Sequence, residues 1–348
     1  ITVICGPLGA GKTTLVNRLL GAPGGRNLAV VVNDMGEVNV DAERIASEGG
    51  DVVDLSNGCV CCRLQDDLRE QVQSLAETRE IDAIVVEASG ISEPIPIAQT
   101  LTGATSGEPP AGVSLDTMAS VIDAYGFWKA FDEDERLPES APDPARPLTD
   151  VLVDAIEFCD VLLLNKCDMV PDDVCDDLEA VIRTLQPRAT IHRTTYADVE
   201  TDAVVHTELF DYEVGRRHQG WKRALAGEHD HESAAEAHGV ESIVYERERP
   251  FHPERLDAWL EDWDGAIVRA KGFAWVASHP DDVIGVSQAG PSVQAGPIGE
   301  WGDDDPATRL VFIGTDLDDE RLRSELDACL VSGADDEWAR EPFPREAD

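Results

Sequence analysis

Three cysteines fall within four positions of the stretch NGCVCCRL, residues 57–64. Neighbouring cysteines rarely pair with each other, because a disulfide needs Cα atoms roughly 5.5 Å apart and particular dihedral angles. Three thiolates this close repel one another, and a divalent cation relieves the repulsion. Cys59, Cys61 and Cys62 are therefore predicted to bind a soft metal ion such as Zn²⁺, Co²⁺ or Cu⁺. A redox switch and a group of buried structural thiols are the alternatives.

A glycine-rich segment near the start of the chain has the pattern of a phosphate-binding loop. GPLGAGKTT, residues 6–14, fits G-x-x-x-x-G-K-[ST] and lies between a predicted strand and a predicted helix. Its backbone N–H groups would point at phosphate oxygens, Lys12 would reach the terminal phosphates, and the Thr13 hydroxyl suits Mg²⁺. The nucleotide-binding residues predicted in this loop are Gly6, Gly9, Ala10, Gly11, Lys12, Thr13 and Thr14. Lys12 is also a predicted catalytic residue.

The stretch NKCD, residues 165–168, follows the apolar run DVLLL and indicates guanine as the base. The Asp168 carboxylate can accept hydrogen bonds from N1–H and the exocyclic amine of guanine, whereas adenine would leave a buried carboxylate unpaired. Lys166 would lie along the base. Asn165, Lys166 and Asp168 are therefore predicted to bind the nucleotide, with GTP as the cofactor.

Two further segments carry acidic residues where nucleoside triphosphatases hold Mg²⁺ and orient water. In VVEASG, residues 85–90, Glu87 could hold Mg²⁺ and act in catalysis, and Gly90 could turn its N–H toward the γ-phosphate. The stretch VVVNDMGEVNVD, residues 30–41, offers more acids for orienting the attacking water or binding Mg²⁺. These additional catalytic candidates, which the sequence does not rank, are Asp34, Glu37 and Asp41.

Short apolar runs and amphipathic stretches alternate along the first half of the chain and must position these residues. Continuous Val, Ile and Leu strands alternating with helices indicate a parallel sheet covered on both faces. The predicted strands are residues 1–5, 27–34, 51–56, 81–90, 117–125, 160–165 and 189–194, and the predicted helices are 12–20, 64–79, 148–158 and 172–185. The predicted fold is an α/β P-loop NTPase domain with a mostly parallel sheet, followed by a smaller α+β domain.

Breaks in this pattern divide the 348 residues into four parts. We predict a P-loop domain over 1–208, a polar linker over 209–239, an α+β domain over 240–331 and an acidic tail over 332–348 that frays. An exposed loop rich in proline and acid is expected over 131–147. The linker histidines are His229, His231 and His238, which are more typical of a solvated linker than of a metal site.

The second domain shows fewer elements in its sequence than the first. VESIVYERERPFHPERLDAWLEDW predicts a strand, a break at proline and a helix, and AIVRAKGFAWVAS predicts one strand. TRLVFIGTDLDDERLRSELDACL predicts a strand followed by a helix. A face that binds a client protein could be formed by Arg269, Lys271, Trp275, Trp259 and Trp263, although aromatic residues at strand and helix spacing more often lie in a core.

The charge balance is strongly acidic, with 70 Asp and Glu residues against 28 Lys and Arg and a net charge of -42. The acid is spread along the whole chain, which favours a halophilic protein over one with a single acidic binding surface. This charge argues against nucleic acid and anionic membranes as partners, and no apolar run reaches the roughly 20 residues of a membrane helix. We expect no secretory signal, so the eight cysteines are interpreted as reduced thiols of a cytoplasmic protein.

Five motifs occur in the order found in CobW-type GTPases, and the chain resembles that family. They are GPLGAGKTTLVNRLL, NDMGEVNVDAERI, GCVCC, EASG and NKCD. These GTPases are metal-handling P-loop proteins with a SIMIBI-like fold, related to the GTPases that insert nickel into hydrogenase and urease. PFHPERLDAWL followed by GAIVRAKGFAWVA is similar to the CobW C-terminal domain. Two departures are Ala88, where the third motif often has Ser or Thr, and a linker without a dense histidine run.

The resemblance implies a GTP-dependent metallochaperone that uses Cys59, Cys61 and Cys62 as metal ligands and passes the metal to a client metalloprotein. The implied cofactors are GTP, Mg²⁺ and Zn²⁺ or Co²⁺, and slow intrinsic GTP hydrolysis is expected because no arginine finger is evident in the chain. The physiological metal, the client and a homodimer are left open. The alternatives are a metal sensor or buffer that binds GTP incidentally, a cobalamin-pathway metal insertion factor and, least favoured, a small-molecule kinase.

Overall fold

The structure is a computed structural model that describes residues 1–32, 51–54, 61–77, 81–104, 108–132, 147–212, 239–262, 265–333 and 337–344. Within these residues the chain forms two sheets. The first sheet holds the strands of the amino-terminal part, and the second holds the strands after residue 239. The boundaries predicted at residues 208, 239 and 331 stay predictions.

The first sheet is parallel, as the continuous apolar runs predict. In chain order its strands and helices are β1 (Thr2–Cys5), α1 (Lys12–Gly21), β2 (Leu28–Val32), β3 (Asp51–Asp54), α2 (Cys61–Ala76), β4 (Ala83–Glu87), α3 (Pro94–Thr102), β5 (Thr117–Asp123), α4 (Phe127–Asp132), α5 (Leu148–Glu157), β6 (Val161–Asn165), α6 (Asp172–Leu185) and β7 (Thr190–Arg193). Seven described strands run side by side in the order β3-β2-β4-β1-β5-β6-β7, and every neighbouring pair is parallel.

Helices cover both faces of this sheet. Successive side chains of a strand point to opposite faces, so neighbouring residues of β1 pack against different helices. Ile4 packs in one cluster with Leu15 of α1. Val3, the preceding residue, packs in another cluster with Leu68 of α2 and Ile97 of α3. The predicted α/β class with helices on both faces is therefore confirmed.

The second sheet is antiparallel and contains two strands that the sequence did not predict. Its elements are β8 (Val240–Arg247), α7 (Pro253–Glu261), β9 (Ile267–Val276), β10 (His279–Ala289), β11 (Ser292–Glu300), β12 (Thr308–Thr315) and α8 (Asp319–Ala328), with strand order β11-β10-β9-β12-β8. The segment of β10 and β11 is rich in Gly, Pro and Asp, residues that usually mark turns. Both strands form nevertheless, because each pairs with a long neighbouring strand. The pairing of β10 with β11 has a register shift between Val283 and Ile284.

The expectation that the acidic tail frays is wrong for residues 337–344. Phe343 is only 2% exposed and packs in the core of the second sheet. The backbone N–H groups of Ala339 and Arg340 donate to Glu254 Oε1 at 3.2 and 3.0 Å. One buried aromatic ring and these hydrogen bonds hold the tail against α7.

Arg269 connects the second sheet to the first part of the chain and does not lie on an exposed face. Its Nε donates to Glu157 Oε1 at 2.9 Å and its Nη2 to Glu157 Oε2 at 3.1 Å. The two side chains are 2% and 1% exposed. Lys271 Nζ lies 4.0 Å from the same carboxylate. A buried charge pair of this kind requires good geometry on both sides, so it fixes how α5 and β9 meet.

Across the parts of the chain that the structure describes, every helix is too short or too polar to span a bilayer.

Candidate nucleotide-binding site

The carboxyl ends of four neighbouring strands bring the predicted site residues to one edge of the first sheet. In the strand order, β4 lies beside β1 on one side. On the other side of β1 lies β5, and β6 lies beyond β5. In register, Ile4 of β1 lies beside Glu87, and Asp123 of β5 lies beside Asn165. Ligands of open α/β sheets bind at this edge. The phosphate loop, the segment after β4 and the NKCD motif therefore adjoin.

The phosphate loop joins β1 to α1 in the predicted context. Lys12 is the first residue of α1 and is 7% exposed, and its Nζ donates to the carbonyl oxygens of Gly6 and Pro7 at 3.0 and 3.1 Å. Gly11 has φ 114°, and a Cβ there would lie 2.4 Å from Asn165 Nδ2. Only glycine fits this combination of backbone angle and contact. The loop therefore curls around the lysine ammonium at the start of a helix, where the dipole favours anions.

A hydroxyl and a carboxylate meet beside this loop. The Thr13 hydroxyl donates to Glu87 Oε1 at 2.7 Å, and Glu87 is 6% exposed at the end of β4. A cavity of about 350 Å³ is lined by Leu8, Gly9, Gly11, Lys12, Thr13, Thr14, Val32, Glu87, Ala88, Ser89 and Gly90. Hydroxyl and carboxylate oxygens are the ligands that Mg²⁺ prefers. The donor set therefore suits a Mg²⁺ ion next to bound phosphates.

Asn165 links the phosphate loop to the loop after β7. Its Nδ2 donates to the Ala10 carbonyl at 2.9 Å, and its Oδ1 accepts from the Thr194 hydroxyl at 3.1 Å and the Ala197 N–H at 2.8 Å. The side chain is 2% exposed. Both ends of the amide thus bind protein groups. The sequence motifs do not include Thr194 and Ala197, because the stretch TTYAD has no glycine or charge pattern that marks it as part of a site.

Lys166 and Asp168 lie at the same edge, beyond Asn165. Lys166 has the left-handed φ of 62°, and its Nζ lies 2.5 Å from Asp123 Oδ2. Asp168 is exposed in the short turn Cys167–Met169, so its carboxylate is accessible to a base. The Cys167 N–H donates to the Thr194 carbonyl at 3.2 Å and holds this turn to the loop after β7.

Gly90 makes the closest approach between the phosphate loop and the segment after β4. A Cβ at this position would lie 2.7 Å from the backbone nitrogen of Leu8 and 2.8 Å from its Cα. Backbone atoms cannot rotate away from such a contact, so any side chain here separates the two segments.

Gly90→Ala is therefore expected to slow GTP hydrolysis by about 10- to 100-fold, since small displacements near reacting groups have effects of this size. GDP affinity should fall much less, because Gly90 is predicted to contact the γ-phosphate, which GDP lacks. Single-turnover hydrolysis and GDP titration measure the two effects. Gly296→Ala is the matched control, because a Cβ there meets nothing within 4 Å. Wild-type hydrolysis in Gly90→Ala would contradict the prediction.

Two cysteines outside the Cys-x-Cys-Cys motif have a structural role. Cys5 and Cys159 are free, buried and packed in apolar clusters. Burial raises the pKa of Cys5 to about 12 and also raises the pKa of Cys159. Neutral thiols of this kind act as small apolar side chains.

The predicted metal motif lies largely outside the described residues. Cys61 and Cys62 are the first two residues of α2, which begins three positions earlier than predicted. Among the residues with described positions, no group of three or more His, Cys, Asp or Glu forms a metal site. The other predicted residues outside the described ranges are Cys59, Asp34, Glu37, Asp41, His229, His231 and His238.

Two family models match the chain. The model described as CobW/HypB/UreG, nucleotide-binding domain, matches residues 1–193. The model described as cobalamin synthesis protein cobW C-terminal domain matches residues 240–330. The matches confirm the resemblance drawn from the motifs, and together they cover most of the chain.

Named relatives extend over nearly the full length. The chain is 33% identical over 383 aligned residues to zinc-regulated GTPase metalloprotein activator 1 of Dictyostelium discoideum, covering 96% of this chain and 80% of that protein. It is 26% identical over 336 residues to the zinc chaperone YjiA of Escherichia coli K12, covering 93% and 96%. Among solved structures, Zn(II)-bound YjiA GTPase from E. coli has a TM-score of 0.45 at 22% identity, over 94% of this chain and 98% of that one.

Proposed function

Because the chain belongs to the CobW/HypB/UreG family and is a GTPase, we propose that it is a metallochaperone that couples GTP to the delivery of zinc. The names of the relatives, a zinc chaperone and a zinc-regulated GTPase metalloprotein activator, support zinc as the cargo. The observation that carries the GTP part of the proposal is one cavity lined by the phosphate loop and by Glu87, which accepts a hydrogen bond from Thr13 of that loop. This arrangement suits a nucleoside triphosphate and its metal ion.

At the phosphate end of the site, Lys12 and the loop N–H groups would bind the β- and γ-phosphates. Thr13 and Glu87 would hold Mg²⁺, which would neutralise charge on the transferred phosphoryl group. Gly90 would bring its N–H to the γ-phosphate and so distinguish GTP from GDP. The water-orienting acid is proposed to be Asp34, Glu37 or Asp41.

At the base end of the site, Asp168 would accept the N1–H and exocyclic amine of guanine. The Lys166 stem would cover one face of the base. Asn165 would act on the nucleotide through the loops that it joins, because its amide binds Ala10, Thr194 and Ala197. This division of roles explains why the NKCD motif selects a base and also orders the phosphate loop.

The metal end of the site is proposed to be Cys59, Cys61 and Cys62. Zn²⁺ takes four ligands, so three thiolates leave one position for water, a carboxylate or a group of the client protein. Soft sulfur ligands would also accept Co²⁺. The motif follows β3 in the chain and includes the first two residues of α2, and β3 belongs to the same sheet as the strands that carry the nucleotide site. Nucleotide state could then change the metal affinity, and a client metalloprotein would receive the ion.

Metal analysis of anaerobically purified protein tests this site. The wild type is expected to hold about one thiol-bound divalent ion per chain, and the variant with Cys59→Ser, Cys61→Ser and Cys62→Ser is expected to lose it. GTP binding should persist in that variant, because no thiol belongs to the proposed nucleotide contacts. Cys329→Ser, which alters a cysteine that follows α8 and packs in the core of the second sheet, is the control. A wild type that binds no divalent ion would refute the metal site.

The coupling between the two sites needs a second measurement. We expect the zinc dissociation constant to differ between protein bound to a GTP analogue and protein bound to GDP. An equal affinity in both states would favour the metal buffer or sensor, in which the nucleotide is incidental.

A further inference from the structure

The NKCD lysine is held by a carboxylate that the sequence motifs do not include. Asp123 Oδ2 lies 2.5 Å from Lys166 Nζ, and the two side chains are 20% and 31% exposed. Asp123 is the last residue of β5 and pairs in register with Asn165, the last residue of β6. Since β5 lies between β1 and β6, this ion pair stands between the phosphate loop and the base motif.

The carboxylate is itself fixed in place. Its other oxygen, Oδ1, accepts the Tyr125 N–H at 2.9 Å. Gly126 lies close enough that a Cβ there would come within 3.1 Å of Asp123 Oδ2. On the other side, Lys166 adopts a left-handed φ of 62°, a conformation that costs a residue with a side chain about 1 kcal/mol or more. Backbone conformation and ion pair together therefore set the direction of the lysine before any nucleotide binds.

We propose that Asp123 is a positioning residue for guanine: it holds the Lys166 ammonium so that the methylene stem stands ready to pack on the base. This inference rests on the proposed guanine site at Lys166 and Asp168. Lysine is among the side chains that lose most rotamer freedom on ordering, so ordering it beforehand improves affinity. The ion pair also keeps the ammonium from pairing with Asp168, whose carboxylate must accept the base N–H groups.

A double-mutant cycle on nucleotide affinity tests the role. The variants are Asp123→Asn, Lys166→Met and the double variant, each titrated with GTP and GDP. Asn keeps the side-chain shape and the oxygen that accepts the Tyr125 N–H, and replaces the charged oxygen facing Lys166 with an NH₂ group that cannot accept from the ammonium. Asp123→Asn is expected to weaken binding by about 5- to 10-fold, as for loss of a charge-assisted contact. If Asp123 acts through Lys166, the double variant is no weaker than Lys166→Met alone.

Kinetics and a conservative variant separate positioning from a purely structural effect. Asp123→Asn should raise the KM for GTP rather than lower kcat, because the contact of Lys166 with the base is equal in the ground and transition states. Asp123→Glu keeps the charge and is expected to recover most of the affinity. Asp176→Asn, which breaks the exposed Arg193–Asp176 pair of 2.7 Å, should leave affinity unchanged. Thermal unfolding of every variant identifies any that fold poorly. If Asp123→Asn is one of them, Asp123→Glu serves as the test variant in its place.

Two results would overturn the proposal, and they differ from failure of the guanine site. Wild-type affinity in Asp123→Asn, or additive losses in the double variant, would refute positioning through Lys166; additive losses would instead indicate that Asp123 contacts the nucleotide itself. In both cases Lys166→Met still weakens GTP binding. If Lys166→Met and Asp168→Asn both bind GTP like the wild type, the guanine site is wrong and the inference falls with it.

Discussion

Asp168→Asn is expected to weaken GTP binding by about 100-fold or more and to create affinity for xanthosine triphosphate. The substitution removes a carboxylate that would accept two hydrogen bonds from guanine, each worth about 1.5–3 kcal/mol when one partner is charged. The new amide would also turn an N–H₂ donor toward the exocyclic amine of guanine. Xanthine carries a carbonyl at that position, so it can accept the donor and restore the pairing.

Competition titrations with GTP, ATP and xanthosine triphosphate measure this change. Asp173→Asn removes a neighbouring exposed carboxylate in the first turn of α6 and is the matched control. A variant that kept GTP affinity, or that lost all nucleotides equally, would show that Asp168 does not read the base. The thiol metal site should be unaffected by Asp168→Asn, because the cysteines lie on another segment of the chain.

Lys12→Ala is expected to reduce GTP hydrolysis by about 1,000-fold, the upper range for removal of one group that stabilises transition-state charge. The Lys12 ammonium is nearly buried and is held within the phosphate loop by the Gly6 and Pro7 carbonyls. It would thus be positioned for the β- and γ-phosphates without reorganisation. GTP affinity should fall as well, because the ground state shares part of the contact.

Single-turnover hydrolysis and nucleotide titration measure both losses for Lys12→Ala. Lys129→Ala, on α4, is the control for loss of one lysine that the proposed nucleotide contacts do not include. Thermal unfolding with and without GDP distinguishes a chemical defect from a distorted loop. Hydrolysis within about tenfold of the wild type would contradict a role in transition-state stabilisation.

Local sequence patterns were sufficient to predict the strands of the first sheet and insufficient to predict all the strands of the second. A parallel strand buried on both faces is a continuous apolar run, so β1, β4 and β6 are evident without tertiary information. In β10 buried and half-buried residues alternate, and β11 is mostly half-buried or exposed. Gly and Pro interrupt the apolar pattern in both strands. The strand conformation of β10 depends on pairing with β9 and that of β11 on pairing with β10, and the local sequence does not encode either pairing. The tail is similar, because Phe343 orders it only by entering a distant core.

The sequence by itself determined the phosphate loop, the guanine motif and the family. The loop and the motif are each a contiguous set of residues whose types and spacing indicate their chemistry, and the order of such motifs indicates the family. Only the tertiary structure decided that Asn165 joins two loops, that Asp123 holds Lys166 and that Arg269 is buried against Glu157. These contacts join residues far apart in the chain or on neighbouring strands. They depend on strand order and register, which arise from packing of the whole sheet and not from any one segment.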